Sequence, residues 1–227
     1  MRQPWKTLER VETANGPLEL RQRGDSEFLF TVAGQVLMTS RATRSEEALA
    51  ALACAGVAGK ERPALLIGGL GLGFTLRAAL DVLPPGAQVC TAELHDAVVR
   101  WCRGPLAGLS DHALDDPRVE ARVADVSAVI AEARDRWDAI AIDLYDGPHR
   151  GNQGAQDPIY GTPALRRTLA ALCPGGTFAV WAEEHDDRFA GRLTAAGFRD
   201  VSEKHPGRGS QRHVVYVARR GRRATTR

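Results

Sequence analysis

Asp143 and Asp146 lie three residues apart in Asp143-Leu-Tyr-Asp146-Gly147-Pro148, directly after the apolar run from Trp137 to Ile142. Two carboxylates spaced this way on a loop can gather a cationic amine and take up its proton. An amine must shed that proton before its lone pair can attack an electrophilic carbon such as one bonded to a sulfonium. The competing reading is a turn in which Asp146 steadies the Gly147-Pro148 bend.

A second group of residues suits a nucleoside. Gly68, Gly69, Gly71 and Gly73 punctuate Leu66-Ile-Gly-Gly-Leu-Gly-Leu-Gly-Phe-Thr75, directly after a short apolar strand. Glycines there let backbone approach a ligand where a side chain would collide, and the helix that follows offers free N–H groups. A tight structural turn would carry the same glycines. Glu93 comes twenty residues after Gly73, at the end of the next strand, where a carboxylate can accept from both hydroxyls of a ribose. Asp125 ends a third strand and either accepts from the exocyclic amine of a base or caps the helix that begins beside it. Tyr145, Tyr160 and Trp181 complete the candidate set as substrate-binding aromatics.

The elements that would position these groups follow from periodicity. From Pro63 onward apolar strands alternate with helical stretches. The strands are Ala64 to Ile67, Gln88 to Glu93, Val119 to Ala124, Trp137 to Asp143 and Thr177 to Trp181. The helices are Phe74 to Leu83, His95 to Arg103, Val126 to Arg136 and Pro163 to Leu172. This alternation specifies a parallel sheet with helices on both faces. The last two strands, Phe198 to Glu203 and His213 to Ala218, are joined by a turn-rich stretch holding Gly207 and Gly209, too short for a helical crossover, so they pair antiparallel. The expected fold is therefore α/β: a Rossmann-like, mostly parallel seven-stranded sheet closed by an antiparallel hairpin. Before it, Pro17 to Arg23, Glu27 to Ala33 and Gln35 to Ser40 read as a small β-meander, and Ser45 as the cap of a helix from Glu46 to Val57. The division expected is residues 1–60 for the meander and its linking helix, and 61–227 for the nucleoside-binding domain.

Composition bounds the function classes. The chain has 227 residues, 44% hydrophobic and 26% charged, which suits a globular protein. Its net charge is +2; five arginines in the last nine residues (Arg219, Arg220, Arg222, Arg223, Arg227) supply +5, leaving −3 for the remainder. A body of that charge lacks the basic footprint of a nucleic-acid binder, and the tail reads as a solvated terminus. No apolar run approaches the roughly 18 residues that span a bilayer, and no secretory leader is apparent, so a cytoplasmic protein without a membrane partner is expected. Cys54, Cys90, Cys102 and Cys173 include no C-x-x-C pair, which argues against zinc and for reduced thiols; no metal site is expected. His185, in Glu183-Glu-His-Asp-Asp187, is read as part of a solvated acidic loop rather than a cation ligand. His205, His213 and Arg208 are read as surface groups, and 149–157 as a polar lid.

The order of these motifs resembles the spermidine synthase family of aminopropyltransferases, whose core is shared with class I S-adenosylmethionine-dependent methyltransferases. The matching residues are Ile67-Gly68-Gly69 with Thr75-Leu76-Arg77, Glu93, Leu114 to Val119, Asp125, Asp143-x-x-Asp146 with Gly147-Pro148, Tyr160, and Leu172 to Gly176. Arg44 to Leu49 and the meander resemble that family's small N-terminal domain. The resemblance implies that Glu93 holds the ribose, Asp125 the adenine, and Asp143 with Asp146 a small amine acceptor. It implies a decarboxylated S-adenosylmethionine donor and a homodimer. Two departures stand out. The family's glycine turn carries an aspartate for the donor's amine, where this chain has Leu70-Gly71-Leu72. The family's tyrosine-histidine-glutamate patch is replaced by Arg44-Ser45-Glu46-Glu47. These keep open a methyltransferase using intact S-adenosylmethionine on a small molecule, and a non-catalytic nucleoside-binding or interaction protein.

Overall fold

The computed structural model describes residues 3–41, 43–145, 147–149, 151–206 and 213–222. Its N-terminal part is a four-stranded antiparallel sheet of β1 (Lys6–Thr13), β2 (Gly16–Arg23), β3 (Glu27–Val32) and β4 (Gln35–Thr39), paired in that order. The meander thus has one strand more than the sequence pattern shows. Nearly all of β1 is exposed or half-buried, so it lacks the apolar alternation by which a strand is read. Leu18, Leu20, Phe28 and Phe30 of the inner face join one core with Leu70, Leu72 and Val98 of the larger unit. Trp101 lies against Phe30 at 5.3 Å, and its Nε1 donates to Glu9 at 2.7 Å.

Helix α1 (Arg44–Cys54) connects the two sheets. It begins two residues earlier than the sequence suggests: Thr43, not Ser45, is the N-cap residue, and its hydroxyl donates to Glu47 at 2.7 Å. Ser45 lies inside the helix and is buried. On the inward face Leu49 and Ala53 pack with Ala141, Ala179 and Val215. The following segment is anchored at Asp138, which accepts from Lys60 Nζ at 2.5 Å and from the Ala64 amide at 2.9 Å.

The second sheet has seven strands, as expected. Parallel β5 (Ala64–Gly68), β6 (Gln88–Glu93), β7 (Val119–Val123), β8 (Trp137–Ile142) and β9 (Leu172–Ala182) are followed by β10 (Arg199–Lys204) and β11 (Val214–Arg219). The spatial order is β10-β11-β9-β8-β5-β6-β7, with β11 antiparallel to both β9 and β10. All six residues of β8 are buried, as a central parallel strand covered on both faces requires. Helices α2 (Phe74–Val82), α3 (Asp96–Arg103), α4 (Val126–Ala131), α5 (Thr162–Ala171) and α6 (Phe189–Ala196) fill the connections. Helix α4 is shorter than expected, and β9 absorbs the Pro174-Gly175-Gly176 segment read as a helix stop. Helix α6 escapes the sequence reading because Gly191 and its short length weaken the pattern; Phe189 and Leu193 nonetheless bury fully.

From β5 the chain winds outward through β6 to β7, then returns to β8 on the other side of β5. The winding direction therefore reverses between β5 and β8. Beyond the carboxyl ends of these two strands lies the crevice in which open α/β sheets bind ligands.

Candidate functional site

The end of β5 and the start of the loop after β8 are stitched together there, with the Asp143 amide donating to the Gly68 carbonyl at 2.8 Å. The chain then turns through Gly69, at φ +89°, where an added Cβ would meet the Asp143 carbonyl oxygen at 2.2 Å. Gly73, at φ +84°, precedes α2 and lies against Ser110. Three of the four glycines thus serve the protein's own packing: Gly68 meets Ile142 and Val126, Gly69 meets Asp143, and Gly73 meets Ser110. Gly71 alone of the four lines the cavity, and there Met38 of β4 closes over it: the Met38 sulfur accepts from the Leu72 amide at 3.3 Å. Beneath the turn, Cys102 donates to the Gly71 carbonyl at 3.3 Å. Its thiol is pushed up to about 12 by burial, with the Glu93 charge adding. The four cysteines are free thiols. Leu70 and Leu72 point into the core, not toward a ligand.

The cavity measures about 880 Å³, room for a nucleoside and a small second substrate. Its walls come from both sheets: Val36 and Met38 from β4, Glu46 from α1, Glu93 and Leu94 at the end of β6, and Asp143 after β8. Val36 and Leu94 are more than half exposed, an apolar mouth. Glu93 is buried, and both its oxygens accept backbone amides, Oε2 from Leu70 at 3.0 Å and Oε1 from His95 at 2.9 Å. It clamps the glycine turn to the start of α3 while still facing the cavity.

Asp143 is differently equipped. Its Oδ2 accepts from the Thr75 hydroxyl at 2.5 Å, in the first turn of α2. Burial pushes its carboxyl up to about 7; the Thr75 bond opposes that rise and the charge of Glu46 adds to it. A carboxyl in that range titrates near neutral pH, where proton transfer is most efficient.

The other sequence candidates divide. Tyr145, Tyr160 and Trp181 all line the cavity. Trp181 meets His213 edge-on at 5.2 Å, and its buried Nε1 has no hydrogen-bond partner among the described residues. Asp125 does not line it: exposed beyond β7, it accepts from the Ser127 amide at 2.7 Å as the cap of α4. Asp146 lies outside the described residues, as do Arg208, Gly207, Gly209, Arg223 and Arg227. Described parts of the 149–157 loop are held by Asn152, which donates to the Gly147 carbonyl at 2.7 Å, and by Asp157, which accepts the Tyr160 amide at 2.6 Å. His185 lies off the cavity, paired with Glu203 at 2.9 Å. Among the described residues there is no grouping of three side chains that would hold a metal, and no helix long and apolar enough to cross a membrane. Arg220 of the tail is not loose: it donates to Asp135 and to the carbonyls of Ala170 and Leu172.

Two residues that sequence reasoning missed belong to the site. His213, read as a surface group, is drawn into the wall because β11 pairs with β9 beside Trp181. Glu46 lines the cavity at 8% exposure. The signal for Glu46 was the i, i+3 spacing to Leu49, which puts both on the inward face of α1.

No family model matches the chain. A polyamine aminopropyltransferase of Synechococcus sp. (strain JA-2-3B'a(2-13)) is 31% identical over 132 residues, covering 55% of this chain and 38% of that relative. The match therefore spans well under half of the relative. Among solved structures, spermidine synthase from Thermotoga maritima superposes with a TM-score of 0.73 at 20% identity, covering 95% of this chain and 73% of that one. A spermidine synthase in complex with the transition state analogue AdoDATO gives 0.72 at 19% identity over the same shares, 95% and 73%. A probable spermidine synthase from Corynebacterium glutamicum ATCC 13032 gives 0.65 at 19% identity, covering 94% of this chain and 79% of that one. The fold is the spermidine synthase fold, which bears out the resemblance read from motif order.

Proposed function

We propose that this chain transfers an aminopropyl or related alkyl group from an S-adenosylmethionine-type sulfonium to a small amine. The observation that carries this reading is Asp143. It is a carboxyl at the switch point of the sheet, held at about 7 and facing the same cavity as Glu93. The Synechococcus relative is named for aminopropyl transfer, and one solved neighbour holds a transition state analogue of its reaction.

In this reading Glu93 accepts from the ribose hydroxyls through lone pairs its two amide bonds leave open. Val36 and Leu94 flank the nucleoside. Residues 1–60 form the outer wall and 61–227 hold the donor. The acceptor enters past Tyr145, Tyr160 and Trp181. Asp143, with Asp146, takes the proton that the ammonium must lose. The nitrogen lone pair then attacks the methylene bonded to sulfur; the C–S bond breaks with its electron pair going to sulfur, and the sulfonium becomes a neutral thioether. The sulfonium supplies the leaving group, so the chain has only to orient, desolvate and move a proton.

The lining also bears on which donor is used. Its described ionisable side chains are carboxylates, tyrosines and two histidines, His95 and His213. Intact S-adenosylmethionine would bring a carboxylate beside its ammonium, and that carboxylate would lie among carboxylates, whereas the decarboxylated donor brings the ammonium alone. The decarboxylated form is favoured on that charge pattern. Calorimetric titration with S-adenosylmethionine, its decarboxylated form and methylthioadenosine tests this. Tighter binding of the decarboxylated donor supports aminopropyl transfer, preference for the intact one supports methylation, and binding of none removes both.

A further inference from the structure

We infer that Glu46 is a specificity-determining residue of this cavity, its free carboxylate oxygen and that of Asp143 together gripping one primary ammonium group. The inference rests on the amine-transfer reading above and adds to it a residue from the helix that joins the two sheets.

The two carboxylates are mounted alike. Ser45 donates its hydroxyl to Glu46 Oε2 at 2.7 Å, and Thr75 donates its hydroxyl to Asp143 Oδ2 at 2.5 Å. Each group thus has one oxygen fixed by a neighbouring hydroxyl. Its second oxygen has no protein donor among the described residues, and both residues line the same cavity. Among the described residues neither is paired with a lysine or arginine, and none lines the cavity. Glu46 is 8% exposed, so its charge is largely removed from bulk water.

An acidic residue in the first turn of a helix is ordinarily placed for the helix dipole. That role falls to Glu47 in α1, which is exposed and bonded to the N-cap residue Thr43. Glu46, one residue earlier, is turned inward instead. No counter-ion faces the pair among the described residues, and the charge of Glu46 opposes the ionisation of Asp143. A cation between them removes that opposition, and an ammonium with three N–H donors can serve both open oxygens at once. A neutral acceptor of the same shape gains nothing from the arrangement.

The test is calorimetric titration of 1,4-diaminobutane in the presence of saturating methylthioadenosine. It compares the wild type with Glu46→Gln, Asp143→Asn and the double variant. Each single variant is expected to weaken diamine binding at least tenfold while leaving methylthioadenosine affinity within twofold of the wild type. The double variant should lose less than the product of the two, because both groups hold the same nitrogen. Unchanged diamine affinity in Glu46→Gln beside a loss in Asp143→Asn overturns the inference and leaves the transfer reading standing. Strictly multiplicative losses also overturn it, since they place the two carboxylates on different nitrogens. Absence of both diamine and methylthioadenosine binding by the wild type removes the transfer reading itself. Should Glu46→Gln not fold, Glu46→Asp carries the same test: it keeps the charge but withdraws the oxygen from the shared grip, and wild-type affinity in that variant would refute the inference.

Discussion

Glu93 and Asp143 stand at the carboxyl edge of the same sheet, two strands apart, and the protein equips them in opposite ways. Glu93 is braced by backbone: each of its oxygens accepts one amide, the two coming from different loops, which makes it a strut of the glycine turn as well as a cavity wall. Asp143 receives one hydroxyl, has one oxygen open among the described residues, and sits where burial pushes its carboxyl up. Strand-end position and residue type are shared. What separates a clamp from a proton carrier is the number of fixed donors each carboxylate is given.

Removing the proton carrier is the largest blow the comparison predicts. Asp143→Asn should lower turnover by about 10²- to 10⁴-fold, the range for a lost general base, while donor affinity stays near wild type. Single-turnover kinetics with the decarboxylated donor would read this; full turnover in the variant would make Asp143 a second clamp. Glu93→Ala comes next, at tenfold or more in nucleoside affinity, and it should also destabilise the fold. Two amides lose their acceptor at about 1–3 kcal/mol apiece when left buried. If nucleoside affinity fell with no change in the unfolding midpoint, the strut role would be refuted; the converse would refute the ribose role.

The difference between the two carboxylates could not be read from the chain. Alternation of strands and helices from Pro63 onward is a strong signal because the central strands carry runs of buried apolar residues, as β8 does from Ala139 to Ile142. The glycine run and the terminal hairpin announce themselves through backbone requirements. Those parts of the fold were legible. The lining was less so, because it depends on which distant segments meet. Gly68, Gly69 and Gly73 read as open backbone for a ligand, yet their space is taken by Ile142, Asp143 and Ser110. His213 reads as a hairpin residue until β11 lies down beside β9. Ser45 has the composition of a helix cap, but Thr43 takes that place two residues earlier, which turns Ser45 inward to hold Glu46. Strand β1 and helix α6 carry too little periodic apolar content to be seen before their partners are known.

A smaller effect sharpens the contrast from the Asp143 side alone. Among the described residues Thr75 is the single fixed donor to this carboxylate, and its bond stabilises the charged form, opposing the rise that burial causes. Thr75→Val keeps the shape of the residue and deletes the donor. The acid limb of the rate profile should then move to higher pH, because the carboxyl needs a higher pH to ionise, while Thr75→Ser restores the wild-type limb. A profile that falls uniformly at every pH would show Thr75 to be a packing residue only.

The smallest effect is on stability, and its sign follows from the same group. An unfolded aspartate ionises near 3.9, whereas Asp143 in the fold does so at about 7. Between those values the folded protein retains a proton the unfolded chain has released. Its contribution to stability is therefore fully present below about pH 4 and is lost as pH rises through 7. Asparagine at 143 has no proton to lose. Thermal unfolding at pH 5 and pH 8.5 should show Asp143→Asn gaining on the wild type by a few degrees at the higher pH. An equal offset at both values would mean the carboxyl ionises at an ordinary pH. Asp143 would then differ from Glu93 in its hydrogen bonds but not in its charge.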